Sequence, residues 1–292
     1  MTVDPVKQFW QDSLSVIKLR ISVMQIITVL WGYWLAHPNP SLNITVFFLA
    51  IGTFLVSSGA GMLNHYLERQ TDTLMIRTQS RPLVTGRFNP GSVFIIGLLV
   101  SGVGLGLLFR YVTPSTGMIA GLTLLLYLLV YTPLKRFTWL NTAFGTIPGA
   151  LPPFGGWVAG AVQAGLPPVG PGAWVLLVTL IAWQHPHFYA IGCLYKDDYK
   201  RAGLPILPNY DPEGARMRRH IIISCLILML AGYQLYALTI MGFFGFIITL
   251  ALTLYYFILG LKMIQNINPK TAKALVRGSI IYLVGLIIIT AV

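Results

Sequence analysis

Nine apolar stretches, separated by polar loops, account for most of the chain. They lie at about 21–36, 45–63, 92–110, 116–133, 142–160, 173–195, 219–239, 241–261 and 274–292. Most are close to the ~20 residues that a helix needs to cross a bilayer. A helix on the surface of a soluble domain would instead show apolar positions on one face only. The pattern therefore predicts an all-α, polytopic membrane protein with nine transmembrane helices.

The composition agrees with this pattern. Hydrophobic residues make up 55% of the chain, charged residues only 10%, and the mean hydropathy is +0.73. Soluble domains carry about 25% charged residues. Because no stretch remains for a soluble domain, we expect one transmembrane domain over residues 1–292 and no nucleic-acid partner. Residues 1–20 are predicted to form an amphipathic cytoplasmic lead.

The positive charges alternate with the apolar stretches. Every lysine and arginine except Arg110 falls before the first stretch or in every second loop. Since loops rich in lysine and arginine stay in the cytoplasm, the N-terminus is predicted to be cytoplasmic and the C-terminus external. The net charge of +12 then forms a layer on one face. That layer can hold the topology and attract anionic membrane lipids, or it can draw anionic substrates into a site.

Asn64, Glu68 and Asp72 follow one another at intervals of four residues, directly after the second stretch. If that helix continues through them, their side chains share one face within an arc of roughly 80°, with neighbours about 6 Å apart along the axis. Two carboxylates so close together favour a cation between them, and hard oxygen ligands suit Mg²⁺ together with substrate phosphates. Arg77 and Arg81 suit the same phosphates. The alternative is a solvated, charged loop that only holds the topology.

A second acidic pair, Asp197 and Asp198, follows the sixth stretch at the same predicted membrane face. Gln184, His185 and His187 precede this pair by about three helical turns and are therefore predicted to lie deeper in the bilayer. Polar side chains at that depth indicate a functional site. Buried histidines whose hydrogen bonds are satisfied within the protein are the alternative.

Two features indicate a cavity among the helices. Tyr127 and Tyr131 are four residues apart and share a helix face, where they can line the path of a carbocation or simply pack. Pro148, Pro152 and Pro153 interrupt the fifth stretch, which predicts either a kinked inner helix beside a large ligand or a tightly packed helix. We expect a central cavity that opens to the cytoplasmic side.

Four motifs together resemble the UbiA superfamily of intramembrane prenyltransferases, and its haem O synthase branch in particular. They are NxxxExxxD at 64–72 with MxRTxxRP at 75–82, YTPLKR at 131–136, WQxPHF at 183–188 and KDDYxxAGxP at 196–205. The resemblance extends over about residues 15–290. It implies an enzyme of a bacterial plasma membrane that transfers a farnesyl group from farnesyl diphosphate to a vinyl group of haem b, giving haem O and diphosphate.

The resemblance also implies roles for individual residues. Mg²⁺ would be held by four carboxylates, those of Glu68, Asp72, Asp197 and Asp198. The catalytic set would add Asn64 and His187. The substrates would contact Arg77, Arg81, Lys135, Lys196, Arg201, Gln184, His185, Tyr127 and Tyr131. Among these, Arg77, Arg81 and Lys135 would neutralise the leaving diphosphate, and His187 with His185 would ligate or position the haem iron or act as a base.

Two positions depart from the family pattern. The second acidic motif of the superfamily is Asp-xxx-Asp, but Arg201 and Ala202 stand four residues after Asp197 and Asp198. His185 stands where the branch is expected to have proline. The alternatives are a related prenyltransferase for another aromatic or tetrapyrrole acceptor, and a haem carrier without chemistry. Haem A synthase and a terminal oxidase assembly are the candidate protein partners.

Overall fold

All regular structure in the ranges that this computed structural model describes, residues 4–37 and 42–291, is helical. The helices are α1 (Pro5–Val16), α2 (Leu19–Ala36), α3 (Ile44–Asp72), α4 (Pro90–Tyr111), α5 (Pro114–Leu134), α6 (Asn141–Gln163), α7 (Pro171–Leu194), α8 (Lys196–Arg201), α9 (Leu207–Tyr210), α10 (Ala215–Ala237), α11 (Phe243–Gln265) and α12 (Pro269–Ala291). Their starts follow local chemistry. Asn43 and Asn89 each precede a helix and accept a backbone N–H from its first turn, which satisfies a donor that the helix itself cannot pair.

Seven of these helices are long and apolar enough to cross a membrane, namely α2, α3, α4, α5, α10, α11 and α12. This finding confirms an all-α, polytopic membrane protein. The long helices α6 and α7 coincide with two further predicted stretches, but they are not among these seven. The count of nine transmembrane helices therefore stays a prediction.

Packing divides the long helices into two groups joined by α6. α2, α3, α4 and α5 pack in chain order around an apolar cluster that includes Leu49 and Leu108. α7, α10, α11 and α12 surround a second cluster that includes Leu228 and Tyr256. α6 contacts α2, α5 and α7, and it thereby links the two halves.

α6 is one continuous helix although Pro148, Pro152 and Pro153 lie inside it. It approaches α2 so closely that a Cβ on Gly156 would fall 1.9 Å from the carbonyl oxygen of Val29. Glycine at this position allows the two backbones to meet. Of the two interpretations of the proline-rich stretch, the structure shows tight packing on the α2 side of the helix.

Several connecting segments meet at one end of the bundle. Arg87, in the segment between α3 and α4, donates to Asp12 of α1 over 2.6 Å. Asn141 at the start of α6 donates to the carbonyl oxygen of Pro205, which follows α8, over 2.7 Å. These contacts join several of the segments in which the sequence places the basic residues.

Candidate active site

The last turns of α3 carry the first acidic motif. The helix continues through Asp72, as its spacing predicts, and it therefore presents Asn64, Glu68 and Asp72 on one face. Asn64 and Asp72 are buried, and Glu68 is partly buried. The carboxylates are thus held at the end of a helix inside the protein, and the solvated-loop interpretation does not describe them.

Each of these three side chains meets one basic residue from another part of the chain. The pairs are Asn64 with Lys18, Glu68 with Lys135, and Asp72 with Arg81. The Glu68 and Asp72 contacts measure 2.7 and 2.6 Å. Buried carboxylates are costly without an opposite charge, so these contacts tie the α1–α2 turn, the end of α5 and the segment after α3 to the same helix face.

Asp72 has one carboxylate oxygen left over. Arg81 bonds Oδ2, whereas Oδ1 is buried and has no hydrogen-bond partner. The backbone carbonyl of Asp72 accepts a separate hydrogen bond from Thr78 over 2.9 Å, which holds the following segment against the helix end. A buried, unpartnered carboxylate oxygen calls for a ligand, because desolvating it without a partner costs free energy.

A cavity of about 40 Å³ has Asp72 in its wall. It is lined by Glu68, Thr71, Asp72, Met75, Arg77, Arg81, Thr132, Lys135, Arg136, Tyr199 and Leu204. A space of that size holds an ion or a few waters. It lies at the predicted position, but the larger central cavity that opens to the cytoplasmic side stays a prediction.

Glu68 and Asp72 are the candidate ligands of a divalent metal. Within residues 4–37 and 42–291, no group of three or more His, Cys, Asp or Glu side chains is arranged to hold a metal ion. Mg²⁺ commonly takes only one or two carboxylates, however, and completes its shell with water and substrate phosphates. Glu68 and Asp72 line the same cavity, and Asp72 has an unpartnered oxygen. These two residues therefore fit a Mg²⁺ ion that binds together with a diphosphate.

Asp197 and Asp198, the second acidic pair, differ in burial and in their contacts. Asp198 is buried, and its two oxygens accept the backbone N–H groups of Ile76 and Arg77 over 3.0 and 3.2 Å. It also pairs with Arg201. Burial raises the pKa of Asp198, but the hydrogen bonds from Arg201 and from the two amides lower it below its usual value. Asp197 is exposed and is absent from the cavity lining, so the structure does not bring all four predicted metal ligands together.

The predicted basic residues also differ in whether they line the cavity. Arg77, Arg81 and Lys135 line the cavity, as expected for groups that meet a diphosphate. Arg77 lies over the ring of Tyr195, with 4.6 Å from its guanidinium carbon to the ring centroid. Arg201 is engaged by Asp198, and Lys196 is exposed outside the cavity. The first three residues are therefore the better candidates.

Tyr127 and Tyr131 lie on a π-helical segment, Leu126–Tyr131, within α5. Their rings stack with centroids 5.8 Å apart. The Nζ atom of Lys135 lies 4.4 Å from the ring centroid of Tyr131. Such π segments occur frequently at functional sites, because the extra residue changes where the following side chains point. Here the following side chains include Lys135.

A second cavity of about 50 Å³ adjoins the first. The two share the side chains of Lys135, Tyr199 and Leu204. Its remaining wall is formed by Tyr131, Asn141, Thr142, Phe188, Tyr189, Ile191, Gly192, Ile206 and Pro208. An aromatic and apolar space thus lies beside the charged one.

His187 is held in a defined tautomer by α12. Its Nδ1 lies 2.7 Å from Oγ of Ser279, whose hydroxyl donates to the carbonyl oxygen of Val276 over 2.6 Å. A hydroxyl has one proton, so Ser279 accepts and His187 donates from Nδ1. The imidazole also stacks on Trp183 with centroids 5.1 Å apart. Nε2 of His187 therefore carries the lone pair that can meet a ligand.

His185 and Gln184 are satisfied by backbone groups. Nδ1 of His185 lies 2.7 Å from the carbonyl oxygen of Ile181, and Nε2 of Gln184 donates to Thr146 and Leu180. Neither side chain is part of the two cavity linings, and His187 is absent from them as well. The alternative interpretation for the histidines, a hydrogen bond made within the protein, describes His185, and Gln184 is held in the same way.

Among the residues of this site that sequence reasoning missed are Lys18, Thr132 and Tyr199. Lys18 was counted only as a charge that sets the topology, although it bonds Asn64. Thr132 and Tyr199 line the charged cavity. Thr132 lies inside the YTPLKR motif and Tyr199 inside the KDDYxxAGxP motif, so the motifs themselves were the available signal.

Comparison with known proteins identifies the family of this chain. Residues 26–284 match the UbiA prenyltransferase family. The chain belongs to that family. A protoheme IX farnesyltransferase from Solibacter usitatus is 34% identical over 282 residues, which cover 94% of this chain and 95% of the relative.

Solved structures share the fold. A structure described as digeranylgeranylglyceryl phosphate synthase in membranes superposes with a TM-score of 0.73 at 15% identity, over 97% of each chain. A UbiA homologue from Archaeoglobus fulgidus, bound to GPP and Mg²⁺, gives a TM-score of 0.64 at 14% identity, over 96% of this chain and 100% of that one. At these identities the likeness establishes the fold.

Proposed function

We propose that this chain transfers a farnesyl group from farnesyl diphosphate to a vinyl group of haem b and thereby forms haem O and diphosphate. The relative from Solibacter usitatus, which aligns with 94% of the chain, is a protoheme IX farnesyltransferase. The donor half of the proposal is carried by Asp72, whose Oδ1 has no partner and which lines a cavity together with Arg77, Arg81 and Lys135. Carboxylates surrounded by cations suit a diphosphate that binds with a divalent metal.

At the donor end, Glu68 and Asp72 are the residues that would hold Mg²⁺, the metal bound with GPP in the Archaeoglobus fulgidus homologue. Bound there, Mg²⁺ supplies positive charge that stabilises the leaving group. Arg77, Arg81 and Lys135 supply the remaining charge. Asp198 supports this end through the backbone amides that it accepts, and Asp197 is the member of the second pair that is open to a ligand.

The proposed reaction begins when the C1–O bond of farnesyl diphosphate breaks and its electron pair leaves with the diphosphate. The stacked rings of Tyr127 and Tyr131 offer π faces that stabilise the allylic cation. The vinyl group then donates its π electrons to form the new carbon–carbon bond. Water adds to the resulting cation and loses a proton, which gives the hydroxyethylfarnesyl group of haem O.

On the acceptor side, His187 is our candidate for contact with the haem iron. Its tautomer leaves Nε2 available, and neutral imidazole is a common ligand of haem iron. The second cavity supports an acceptor position beside the diphosphate, because it shares a wall with the charged cavity and is lined by aromatic side chains such as Phe188 and Tyr189. His185 and Gln184 would act only after a change of side-chain position.

We further propose that the site faces the cytoplasm of a bacterial plasma membrane. The segments that meet at the site are those in which lysine and arginine accumulate, and such segments stay on the cytoplasmic side. The single transmembrane domain over 1–292 is part of this proposal. Reporter fusions at the two ends of the chain test the proposed orientation, and an N-terminal reporter on the external side would contradict it.

The test of function is the conversion of haem b by membranes that contain this protein, followed by mass spectrometry of the extracted haems. We expect haem O only when farnesyl diphosphate and Mg²⁺ are both supplied. Asp72→Asn should reduce the rate at least about 100-fold, because it removes a carboxylate that would hold Mg²⁺ beside the leaving group. Glu213→Gln, at an exposed carboxylate outside the cavity, is the matched control and should keep the rate. Prenylation of 4-hydroxybenzoate with no change in haem would refute the acceptor.

A further inference from the structure

Lys18 has an uncommon backbone conformation for its residue type. It joins α1 to α2 with φ 51° and ψ 49°, in the left-handed region. A side chain with a Cβ is disfavoured there by about 1 kcal/mol or more, and glycine or asparagine would normally occupy such a turn. Retaining lysine at this position indicates that its side chain has a task which glycine could not perform.

The side chain of Lys18 reaches the active-site helix. Its Nζ donates to Oδ1 of Asn64 and, over 3.2 Å, to the hydroxyl of Tyr127. An ammonium group is only a donor, so the oxygen of the Asn64 amide must face Lys18 and its nitrogen must face away. Lys18 therefore determines the orientation of an amide whose two ends differ in hydrogen-bonding character.

The orientation of Asn64 is passed on to the π segment of α5. Nδ2 of Asn64 donates to Oγ1 of Thr132 over 3.2 Å, and the hydroxyl of Thr132 donates to the carbonyl oxygen of Tyr127 over 2.8 Å. The backbone N–H of Thr132 bonds the same carbonyl. Hydrogen bonds thus run in one direction from Lys18 to the residues that close the π segment.

That segment places the cationic and aromatic groups of the site. Tyr131 ends it, and Lys135 lies one turn further on, paired with Glu68 and above the ring of Tyr131. A return of the segment to regular α-helix would rotate the residues before or after it by roughly 100°, the turn made by one helical residue. Groups that stabilise the π segment consequently control where Lys135 points.

We propose that Lys18 is a positioning residue of the diphosphate site, which acts through Asn64 and Thr132 to hold the π segment of α5 and thereby Lys135. The proposal deepens the function proposed above and rests on its assignment of Lys135 to the diphosphate. It assigns a role to the left-handed turn between α1 and α2, which no motif in the sequence marks. The proposal predicts that loss of the ammonium group has two effects at once: faster hydrogen exchange in the π segment of α5 and weaker binding of diphosphate.

Two variants test it, with one backbone control. Lys18→Met keeps the stem and removes the charge, and Lys18→Gly also relieves the left-handed backbone. The control is Thr239→Gly, at the other described non-glycine residue with positive φ, 57°, between α10 and α11. The measurements are binding of inorganic diphosphate with Mg²⁺ by calorimetry, amide hydrogen exchange of residues 126–135, and thermal unfolding, all on the purified full-length protein in detergent.

We expect both Lys18 variants to bind diphosphate at least about tenfold more weakly and to exchange faster at 126–135, because the removed hydrogen bonds are partly shielded from water and hold Asn64 and Tyr127 in place. Thr239→Gly should change neither. Three results would overturn the proposal. The first is unchanged diphosphate binding in Lys18→Met, and the second is weaker binding without faster exchange at residues 126–135. The third is a lower unfolding temperature together with faster exchange over the whole protein. None of these readouts requires haem or a farnesyl group, so a failure to form haem O leaves them interpretable.

Discussion

Arg81 occupies one oxygen of Asp72 and leaves the other bare: Nη1 lies 2.6 Å from Oδ2, while Oδ1 is buried without a partner. Arg81 therefore balances the charge of the Asp72 carboxylate, while one oxygen of that carboxylate has no hydrogen bond. Arg81 repels a cation that approaches Oδ1. It also binds an anion less strongly, because it already pairs with Asp72. The pair is consequently better suited to a cation and an anion that arrive together than to either alone.

The first prediction concerns this competition. Arg81→Met should raise the affinity for Mg²⁺ alone by about tenfold, because it removes a positive charge beside the carboxylate, and it should lower the affinity for diphosphate by a similar factor. Calorimetric titration with each ligand separately measures both. Arg87→Met, which removes an arginine that pairs with Asp12 instead, is the control and should alter neither affinity. Changes of the same sign for both ligands would contradict the idea.

The second prediction concerns Asp198. Asp198→Asn should destabilise the segment after α3 by about 1–3 kcal/mol, since an amide cannot accept two backbone N–H groups and an arginine as a carboxylate does. Hydrogen exchange at Ile76 and Arg77 should accelerate, and the unfolding temperature should fall. Asp197→Asn is the matched control for these two readouts, because Asp197 is exposed. Equal exchange in both variants would remove the supporting role of Asp198.

The third prediction is a pH dependence at the lead helix α1. The hydrogen bonds from Arg87 hold the pKa of Asp12 below its usual value. A lowered carboxyl pKa stabilises the fold above the unfolded-state pKa, and this contribution is lost as pH falls through the folded-state pKa. The ordinary pKa of an aspartate is about 4. Between about pH 6 and pH 3 the unfolding temperature of Asp12→Asn should therefore fall less steeply than that of the unaltered protein.

The size of that contribution is about 1 kcal/mol, because Arg87 is partly exposed to solvent. Arg87→Gln should flatten the same pH profile, since it removes the other half of the pair. Glu213→Gln should leave the slope as in the unaltered protein. An Asp12→Asn profile parallel to the unaltered one would show that the ion pair does not contribute.

The fourth prediction concerns the tautomer of His187. Ser279→Ala removes the acceptor that holds the Nδ1 proton, so haem binding should weaken by about tenfold, the scale on which partners of a metal ligand act. His187→Ala should weaken binding further and shift the Soret band. Thr290→Ala, on the same helix and bonded to Trp31, is the control for packing of α12. If Ser279→Ala matches its control, the tautomer has no influence.

The apolar stretches of the sequence were enough to predict the seven helices that are long and apolar enough to cross a membrane. The run that ends at Asp72 continues as one helix, so the face shared by Asn64, Glu68 and Asp72 followed from spacing alone. The motifs likewise pointed to Arg77, Arg81 and Lys135, which line the charged cavity. Such inferences succeed because side-chain direction along a helix depends only on its own period.

The partners of those residues depended on the tertiary structure. Lys18 is 46 positions from the asparagine that it bonds, and Asp198 is 122 positions from the amide of Ile76. No periodicity connects residues on different helices, and the same acidic pair could equally have faced a metal or a backbone. The sequence by itself determined the membrane helices, the face of α3 and its chemistry. Helix packing decided which carboxylates enter the cavity and which cations meet them, since only packing sets distances between segments far apart in the chain.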